Sequence, residues 1–209
     1  MIRRDYKSIL CLNGELPSYE FFENFDLPII AADGAANYLT EIGIEPSIII
    51  GDMDSVNKNL LLIGKYIESK DQNYCDFEKS IDYIKKNNLE PTIIFGINGG
   101  CLDRILNNLN IFSKIDATLY CDDMFGFATS SNIEMTLPLN TKISIFGLPK
   151  CLISTRGLKW ELDDSILSFP DFSSCCNRSI IPKISFKILS GKTLIFIYTV
   201  PIFDAGIFI

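Results

Sequence analysis

The sequence predicts two domains in series, an α/β domain with a mainly parallel sheet followed by an all-β sandwich. Up to about residue 122, short apolar runs alternate with stretches of helical periodicity, the pattern of parallel strands joined by crossover helices. Beyond that point the helical period disappears, and runs rich in Ile, Phe, Ser and Thr are separated by turn signals, as in an antiparallel sandwich or barrel. A chain of 209 residues is long enough to bury a core in either one large domain or two small ones. The expected domains are 1–122 and 123–209, with Cys121-Asp-Asp-Met-Phe as the crossing point.

Each element has its own signal. Strands are expected at 8–13, 28–32, 47–51, 92–96 and 117–121, where apolar residues run together as they do in a sheet covered on both faces. Helices are expected at about 34–43, 57–68, 76–88 and 102–114. The third places residues 77, 81 and 84 on one face, and the fourth places Ile105, Leu106, Leu109 and Phe112 there. In the second half, strands are expected at 125–129, 132–137, 142–147, 151–155, 165–169, 180–189 and 193–200, divided by breaks such as Leu148-Pro149 and Ser190-Gly191-Lys192. No repeat or low-complexity tract is present.

Composition excludes several kinds of chemistry. With no histidine, the chain has no Ser-His-Asp triad, no Cys-His dyad and no histidine-ligated zinc or haem. A formal charge of −7 and the lack of a long basic run speak against nucleic acid as a partner. Seven cysteines, an odd number without C-x-x-C spacing, read as reduced thiols of a cytoplasmic protein. The apolar stretch 9–12 is too short for a signal peptide. The tail 193–209 is interrupted by Pro201, Asp204 and Gly206, so it reads as a strand with a docked terminus rather than a membrane span.

Acidic residues collect where strands become helices. Ser47-Ile-Ile-Ile50 runs into Gly51-Asp52-Met53-Asp54-Ser55, and Pro28-Ile-Ile-Ala-Ala runs into Asp33-Gly34. If the strand continues, Asp52 and Asp54 face the same way and form a Mg²⁺ site; if it stops, they belong to an acidic turn. Asp76 and Lys79 share a face at a helix start, either as a surface ion pair with a capping aspartate or as site residues. Gly99-Gly100 serves equally as a tight turn or as an approach for phosphate to backbone amides. Trp160, the only tryptophan, reads first as a core residue. Neither a P-loop nor a G-x-G-x-x-G fingerprint occurs, so any phosphate must be held by metal and dispersed side chains.

Five segments in register resemble the thiamine pyrophosphokinase family. They are Ala32-Asp33-Gly34-Ala35-Ala36-Asn37; Gly51-Asp52-Met53-Asp54-Ser55; Asp71-Gln72 with Asp76-Phe77-x-Lys79; Gly99-Gly100-x-x-Asp103; and Gly157-Leu158-Lys159-Trp160-x-Leu162. The resemblance implies an α/β nucleotide-binding domain, a thiamine-binding β-sandwich, and a homodimer with active sites between subunits. It implies transfer of the terminal diphosphate of ATP to the thiamine hydroxyl, with Mg²⁺, leaving AMP. On this reading Asp52, Asp54 and Asp76 carry the metal and Lys79 contacts phosphate. Asp33 and Gln72 serve the site, as do Gly99, Gly100 and Asp103. Trp160, Ser174 and Asn177 hold thiamine, whose cationic thiazolium suits an indole face.

The departures from the family pattern all involve thiols. Cys75 stands where Thr or Ser precedes the metal-binding aspartate, Cys101 where an Arg follows Gly-Gly, and Cys176 within a Ser-x-Ser-Asn stretch that here reads Ser174-Cys-Cys-Asn177. A thiol hydrogen-bonds weakly and, when neutral, supplies no charge. Arg104, one turn along the same expected helix, is the candidate replacement for the lost guanidinium. Two other readings remain: a catalytically weakened thiamine- or nucleotide-binding module, and a Mg²⁺-dependent phosphohydrolase resting on the acidic cluster alone.

Overall fold

Continuous apolar runs in the first half of the chain form a sheet whose inner strands are buried on both faces. The computed structural model describes residues 5–60, 64–121 and 124–198. Six strands lie in the first half: β1 (Ser8–Cys11), β2 (Ile29–Ala32), β3 (Ile48–Gly51), β4 (Tyr66–Glu68), β5 (Thr92–Phe95) and β6 (Ala117–Cys121). They are all parallel, in the spatial order β6-β5-β1-β2-β3-β4. The helices are α1 (Tyr19–Phe22), α2 (Ala35–Glu41), α3 (Asp76–Lys86) and α4 (Leu102–Phe112). Residues Asp5–Cys121 make up this unit.

The strand order has a functional consequence. From β1 the chain moves outward through β2, β3 and β4, then returns to the other side of β1 for β5 and β6. The direction of winding reverses between β1 and β5, which opens a crevice at their carboxyl ends where ligands bind in such sheets. Glycine lets the two loops there meet backbone to backbone: a Cβ on Gly14 would come within 2.1 Å of the Asn98 carbonyl, and one on Gly96 within 2.3 Å of the Leu12 carbonyl.

Two helical expectations need correction. The expected helix 57–68 is absent from the described residues of that segment, where Tyr66–Glu68 is the edge strand β4, paired with β3; residues 61–63 lie outside the described residues. All three residues of β4 are exposed, so no buried apolar pattern marks it as a strand. α3 buries Phe77, Ser80, Ile81 and Ile84 as its periodicity demands, but α4 buries only Ile111 and Phe112. Leu106, expected on the buried side, is 50% exposed, and Leu102 is 72% exposed.

The second unit is antiparallel throughout. Its strands are β7 (Met124–Thr129), β8 (Ile133–Thr136), β9 (Lys142–Arg156), β10 (Ser165–Ser168), β11 (Ser174–Arg178) and β12 (Lys183–Tyr198). The expected pairs 142–147 with 151–155, and 180–189 with 193–200, are each one long strand. Pairing changes along their length. The first half of β9 lies between β11 and the second half of β12, which continues to β7; the second half of β9 lies between β10 and the first half of β12, which continues to β8. The turn signal Ser190-Gly191-Lys192 is therefore a site of β-bulges, with register shifts between Ile188 and Ser190 and between Gly191 and Thr193. An odd slip reverses which side chains face inward. Accordingly, Ile184, Phe186 and Ile188 are buried before it, and Thr193, Ile195 and Ile197 after it. The polar β11 carried no strand signal. The expected crossing point includes residues 122–123, and the tail includes residues 199–209; both segments lie outside the described residues.

No helix among the described residues is long and apolar enough to cross a membrane. Cys11, Cys75, Cys101, Cys151, Cys175 and Cys176 are free thiols.

Gly191 tests the bulge. Its φ is +79°, and an added Cβ would sit 2.1 Å from the Lys150 carbonyl; Gly43 has φ +87° but nothing within 4 Å. Both alanine substitutions incur the left-handed backbone cost of about 1 kcal/mol. Gly191→Ala should cost about 1–3 kcal/mol more than Gly43→Ala because backbone must move. Paired urea unfolding curves measure the difference, and equal midpoints would show that the bulge is soft.

Candidate active site

Parallel pairing brings the acidic strand ends to one edge. The Asp33 N–H donates to the Ile50 carbonyl at 2.9 Å, which continues the β2–β3 ladder one residue beyond β2. The chain then turns sharply, with Asp33 at φ +41°. The neighbouring strand accommodates this only because it ends in glycine: a Cβ on Gly51 would lie 2.7 Å from the Asp33 Cβ. Asp52 follows directly, and Asp76 is the first residue of α3. Carboxylate oxygens of Asp33, Asp52 and Asp76 all lie within 4.8 Å of one another.

This trio differs from the expected Asp52, Asp54 and Asp76. The same-face argument required an extended chain through residue 54, but β3 stops at Gly51 and Met53 turns to φ +65°. Asp54 lines the same cleft, with its Oδ1 accepting from the Ser55 hydroxyl at 2.8 Å and its N–H donating to Asp52 Oδ1 at 3.3 Å. Asp33, a site residue by the family resemblance, supplies the third carboxylate. Asn37 ties the turn down, accepting from the Asn57 N–H and donating to the Ser55 carbonyl.

The cluster is electrostatically unbalanced. Asp33 is 5% exposed, and its Oδ1 is buried without a hydrogen-bond partner. Burial holds its carboxyl above the usual carboxylate range; the Ser55 hydrogen bond opposes this, and the charges of Asp76, Asp54 and Asp52 add to it. Asp52 is shifted the other way, chiefly by the hydrogen bond from Gln72 Nε2 to its Oδ2 at 3.0 Å. Lys79 Nζ donates to Asp76 Oδ1 and to the Ser69 carbonyl, both at 3.0 Å, and its side chain is 8% exposed. The pair is thus built into the wall of the cleft rather than lying on the surface. Asp76 is not the helix cap; Cys75 is, with Glu78 closing the capping box.

A cleft of about 400 Å³ opens over these groups, with Gln72, Lys79 and Arg104 in its lining. Arg104 is the guanidinium of this lining, whereas Cys101 is the exposed N-cap of α4 and Asp103 an exposed first-turn residue. Asn13, Asn107 and Asn108 also line the cleft. Sequence reasoning missed all three, although the carboxyl end of β1 was a place to look. Gly99 has φ +91°, and a Cβ there would lie 3.0 Å from the Glu15 amide nitrogen, so its glycine is required by the neighbouring loop; Gly100, at φ +82°, faces open space.

A hard cation fits this donor set. Three oxygen ligands of one sign, one of them buried and unpartnered, suit Mg²⁺ and not a soft metal.

The second unit presents the other group of residues singled out by the sequence. Trp160 is 55% exposed and is not a core residue. Lys159 Nζ lies 4.7 Å from the indole centroid, so the ring already carries a cation on one face. Asn177 is buried, and its side chain bonds the Trp160 backbone. Ser174 Oγ accepts from Asn177 Nδ2 at 3.2 Å. Cys175 and Cys176 are exposed within the bulged stretch of β11, where the Cys176 N–H donates to Ser144 Oγ.

A parallel sheet with a carboxylate cluster at its carboxyl edge, joined to an antiparallel unit bearing an exposed tryptophan, defines a class of ligand-binding α/β proteins with an appended β unit. The comparisons identify it further. Residues 20–120 match the thiamin pyrophosphokinase catalytic domain, and residues 130–192 match the thiamin pyrophosphokinase vitamin B1 binding domain. The chain belongs to the thiamin pyrophosphokinase family. It is 28% identical to thiamine pyrophosphokinase 1 of Oryza sativa subsp. japonica over 72% of this chain, and spans 65% of that relative's length. It is 27% identical to thiamin pyrophosphokinase 1 of Caenorhabditis elegans, over 80% of this chain and 76% of the relative. In fold it is similar to the thiamine pyrophosphokinase of Bacillus subtilis, with TM-score 0.79, 18% identity, and coverage of 92% of this chain and 99% of that one. The yeast thiamin pyrophosphokinase gives TM-score 0.79 at 16% identity, covering 94% and 87%.

Asp33 yields a sign-definite prediction. Its raised pKa means that the folded chain holds the proton more tightly than the unfolded chain, so metal-free stability falls as pH rises from the ordinary carboxylate value through the raised one. Asp33→Asn should therefore stabilise the metal-free chain near neutral pH, by about 1 kcal/mol. Saturating Mg²⁺ should raise the unfolding temperature of the parent chain and leave that of the variant nearly unchanged. A parent chain indifferent to Mg²⁺ would remove the cation from this site.

Proposed function

We propose that this chain is a thiamine diphosphokinase, moving the terminal diphosphate of ATP to the hydroxyethyl oxygen of thiamine and releasing AMP. The observation that carries the reading is the buried Asp33 carboxyl, its Oδ1 without a hydrogen-bond partner, gathered with Asp52 and Asp76 within 4.8 Å in the segment that matches the family's catalytic domain. In this reaction the thiamine oxygen attacks the β-phosphorus, and the bond to the α,β-bridging oxygen breaks so that AMP leaves with that oxygen. Such transfers need alignment and charge neutralisation rather than a covalent intermediate. Asp33, Asp52 and Asp76 would hold Mg²⁺, which when bound neutralises charge on the phosphate oxygens. Asp54 supports the turn that carries Asp52. Lys79 fixes Asp76 and adds positive charge to the wall, and Arg104 reaches the phosphates that an arginine at position 101 would otherwise contact.

Within this reading the parallel unit binds ATP, and the antiparallel unit is a β-sandwich that binds thiamine through Trp160. The active form is a homodimer in the cytoplasm; Leu102 and Leu106 of α4 supply exposed apolar surface of the kind a second copy covers. Mass spectrometry of an incubation with thiamine, ATP and Mg²⁺ tests the function. Thiamine diphosphate with equimolar AMP is expected. Binding without AMP would indicate a weakened module, and phosphate or diphosphate released without thiamine would indicate a hydrolase.

Two substitutions separate the substrates. Trp160→Ala should raise the thiamine KM, with a loss on the order of 1–2 kcal/mol, and leave the ATP KM nearly unchanged. Arg104→Ala should do the reverse, while Cys101→Ser should be nearly neutral. If Cys101→Arg raises activity strongly and Arg104→Ala changes nothing, the guanidinium has been lost rather than moved.

A further inference from the structure

The loop 157–162, between β9 and β10, has little regular structure of its own, yet two side chains fix its backbone. Glu161 Oε1 accepts from the Gly157 N–H at 2.6 Å and the Leu158 N–H at 3.1 Å, while Oε2 accepts from the Thr155 hydroxyl at 2.7 Å. Thr155 Oγ1 in turn accepts from the Leu162 N–H at 2.9 Å. One carboxylate thereby closes the loop on itself, gathering residues 155, 157, 158 and 161. Asn177 holds the loop from β11. Its Oδ1 accepts from the N–H groups of Trp160 at 3.1 Å and Arg178 at 2.8 Å, and its Nδ2 donates to the Trp160 carbonyl at 2.7 Å and to Ser174 Oγ at 3.2 Å.

Asn177 is 1% exposed, and a primary amide offers two N–H donors and two acceptor lone pairs. Both its donors and two contacts at its oxygen are accounted for by the protein, which leaves it nothing to give a ligand. Both the N–H and the C=O of Trp160 are bonded by this one side chain, so the amide sets where the exposed indole stands. Gly157 is required where the loop leaves β9: at φ +97°, a Cβ there would meet Ile184 at 2.8 Å.

We propose that Glu161 and Asn177 are positioning residues for thiamine: they hold the Trp160 indole in the place where the cationic ring stacks, and neither touches the ligand. This rests on the reading of Trp160 as the thiazolium contact. Binding then draws on a ring already in position, and loosening the loop weakens thiamine without altering the nucleotide half of the reaction.

Trp160 is the only tryptophan, so tryptophan fluorescence reports this loop alone. The test measures the KM values for thiamine and ATP and the unfolding midpoint in Glu161→Ala, Glu161→Gln, Glu161→Asp and Trp160→Ala, with quenching of the indole by thiamine read in the parent and the Glu161 variants, which keep it. Glu161→Ala should weaken thiamine binding about tenfold and shift the emission maximum, with the ATP KM unchanged. Glu161→Gln, which keeps an acceptor at the same reach, should recover most of the loss. Should the alanine variant fail to fold, Glu161→Asp carries the test: it keeps the charge but is one methylene short of the amides, and it should also lose about tenfold. Glu161 variants that bind thiamine like the parent while unfolding earlier would overturn the inference, leaving a merely structural carboxylate. If Trp160→Ala itself binds thiamine normally, both the inference and the thiazolium reading fall; if only Trp160→Ala weakens binding, the inference alone falls.

Discussion

Three carboxylates within reach of one cation repel one another, and the parallel unit is arranged to hold them there. No side chain could impose this geometry; it is set by the backbone. Parallel strands end at the same edge of the sheet, so β2 and β3 deliver Asp33 and Asp52 side by side. The Asp33 N–H stays in the ladder while its ψ and φ turn the chain away, and Gly51 leaves room for the Asp33 side chain. α3 then brings Asp76 in its first turn, where the helix dipole favours a negative group. Lys79 balances one of the three charges at close range. The remaining negative charge makes a divalent cation the natural counter-ion and also makes the free site unstable, with Asp33 bearing most of the burial cost.

The antiparallel unit meets a different requirement, since the group it exposes is an aromatic ring rather than a charge. Rigidity there comes from saturating the backbone of a loop with side-chain partners. Asn177 is buried in a strand bonded to β9, and β9 is in turn bonded along its length to β12. The bulges near Gly191 let β12 change its inward-facing set without breaking, so one pair of long strands serves two groups of neighbours.

Much of the fold was legible because burial leaves a period. β1, β2, β3, β5 and β6 appear as unbroken apolar runs, and α3 as a three-to-four spacing, since these faces have no access to water. Exposed β4 and polar β11 left no such trace, and the edge strand was taken for the end of a helix. In the long strands, Leu148-Pro149 and Ser190-Gly191-Lys192 resemble turns because a bulge and a turn select the same residues. At the site, residue identity pointed to these segments, but the three carboxylates that the fold brings within 4.8 Å of one another are not the three that were expected. Asp54 is removed from the trio by the left-handed Met53, and Asp33 is added by a ladder hydrogen bond; neither follows from spacing. Asn13 belongs to a loop without an aspartate, and Glu161 drew no reading from the sequence, because its part is visible only where its two oxygens meet three donors.

The proposed divalent site rests on Asp33, Asp52 and Asp76 acting together. Electron paramagnetic resonance with Mn²⁺ as the probe measures this directly on the full chain without nucleotide. One bound Mn²⁺ is expected, displaced by Mg²⁺, weakening as pH is lowered into the raised titration range of Asp33, and lost when Asp33 or Asp76 is replaced by the corresponding amide. Mn²⁺ binding that survives Asp33→Asn with unchanged affinity and pH dependence would contradict the account.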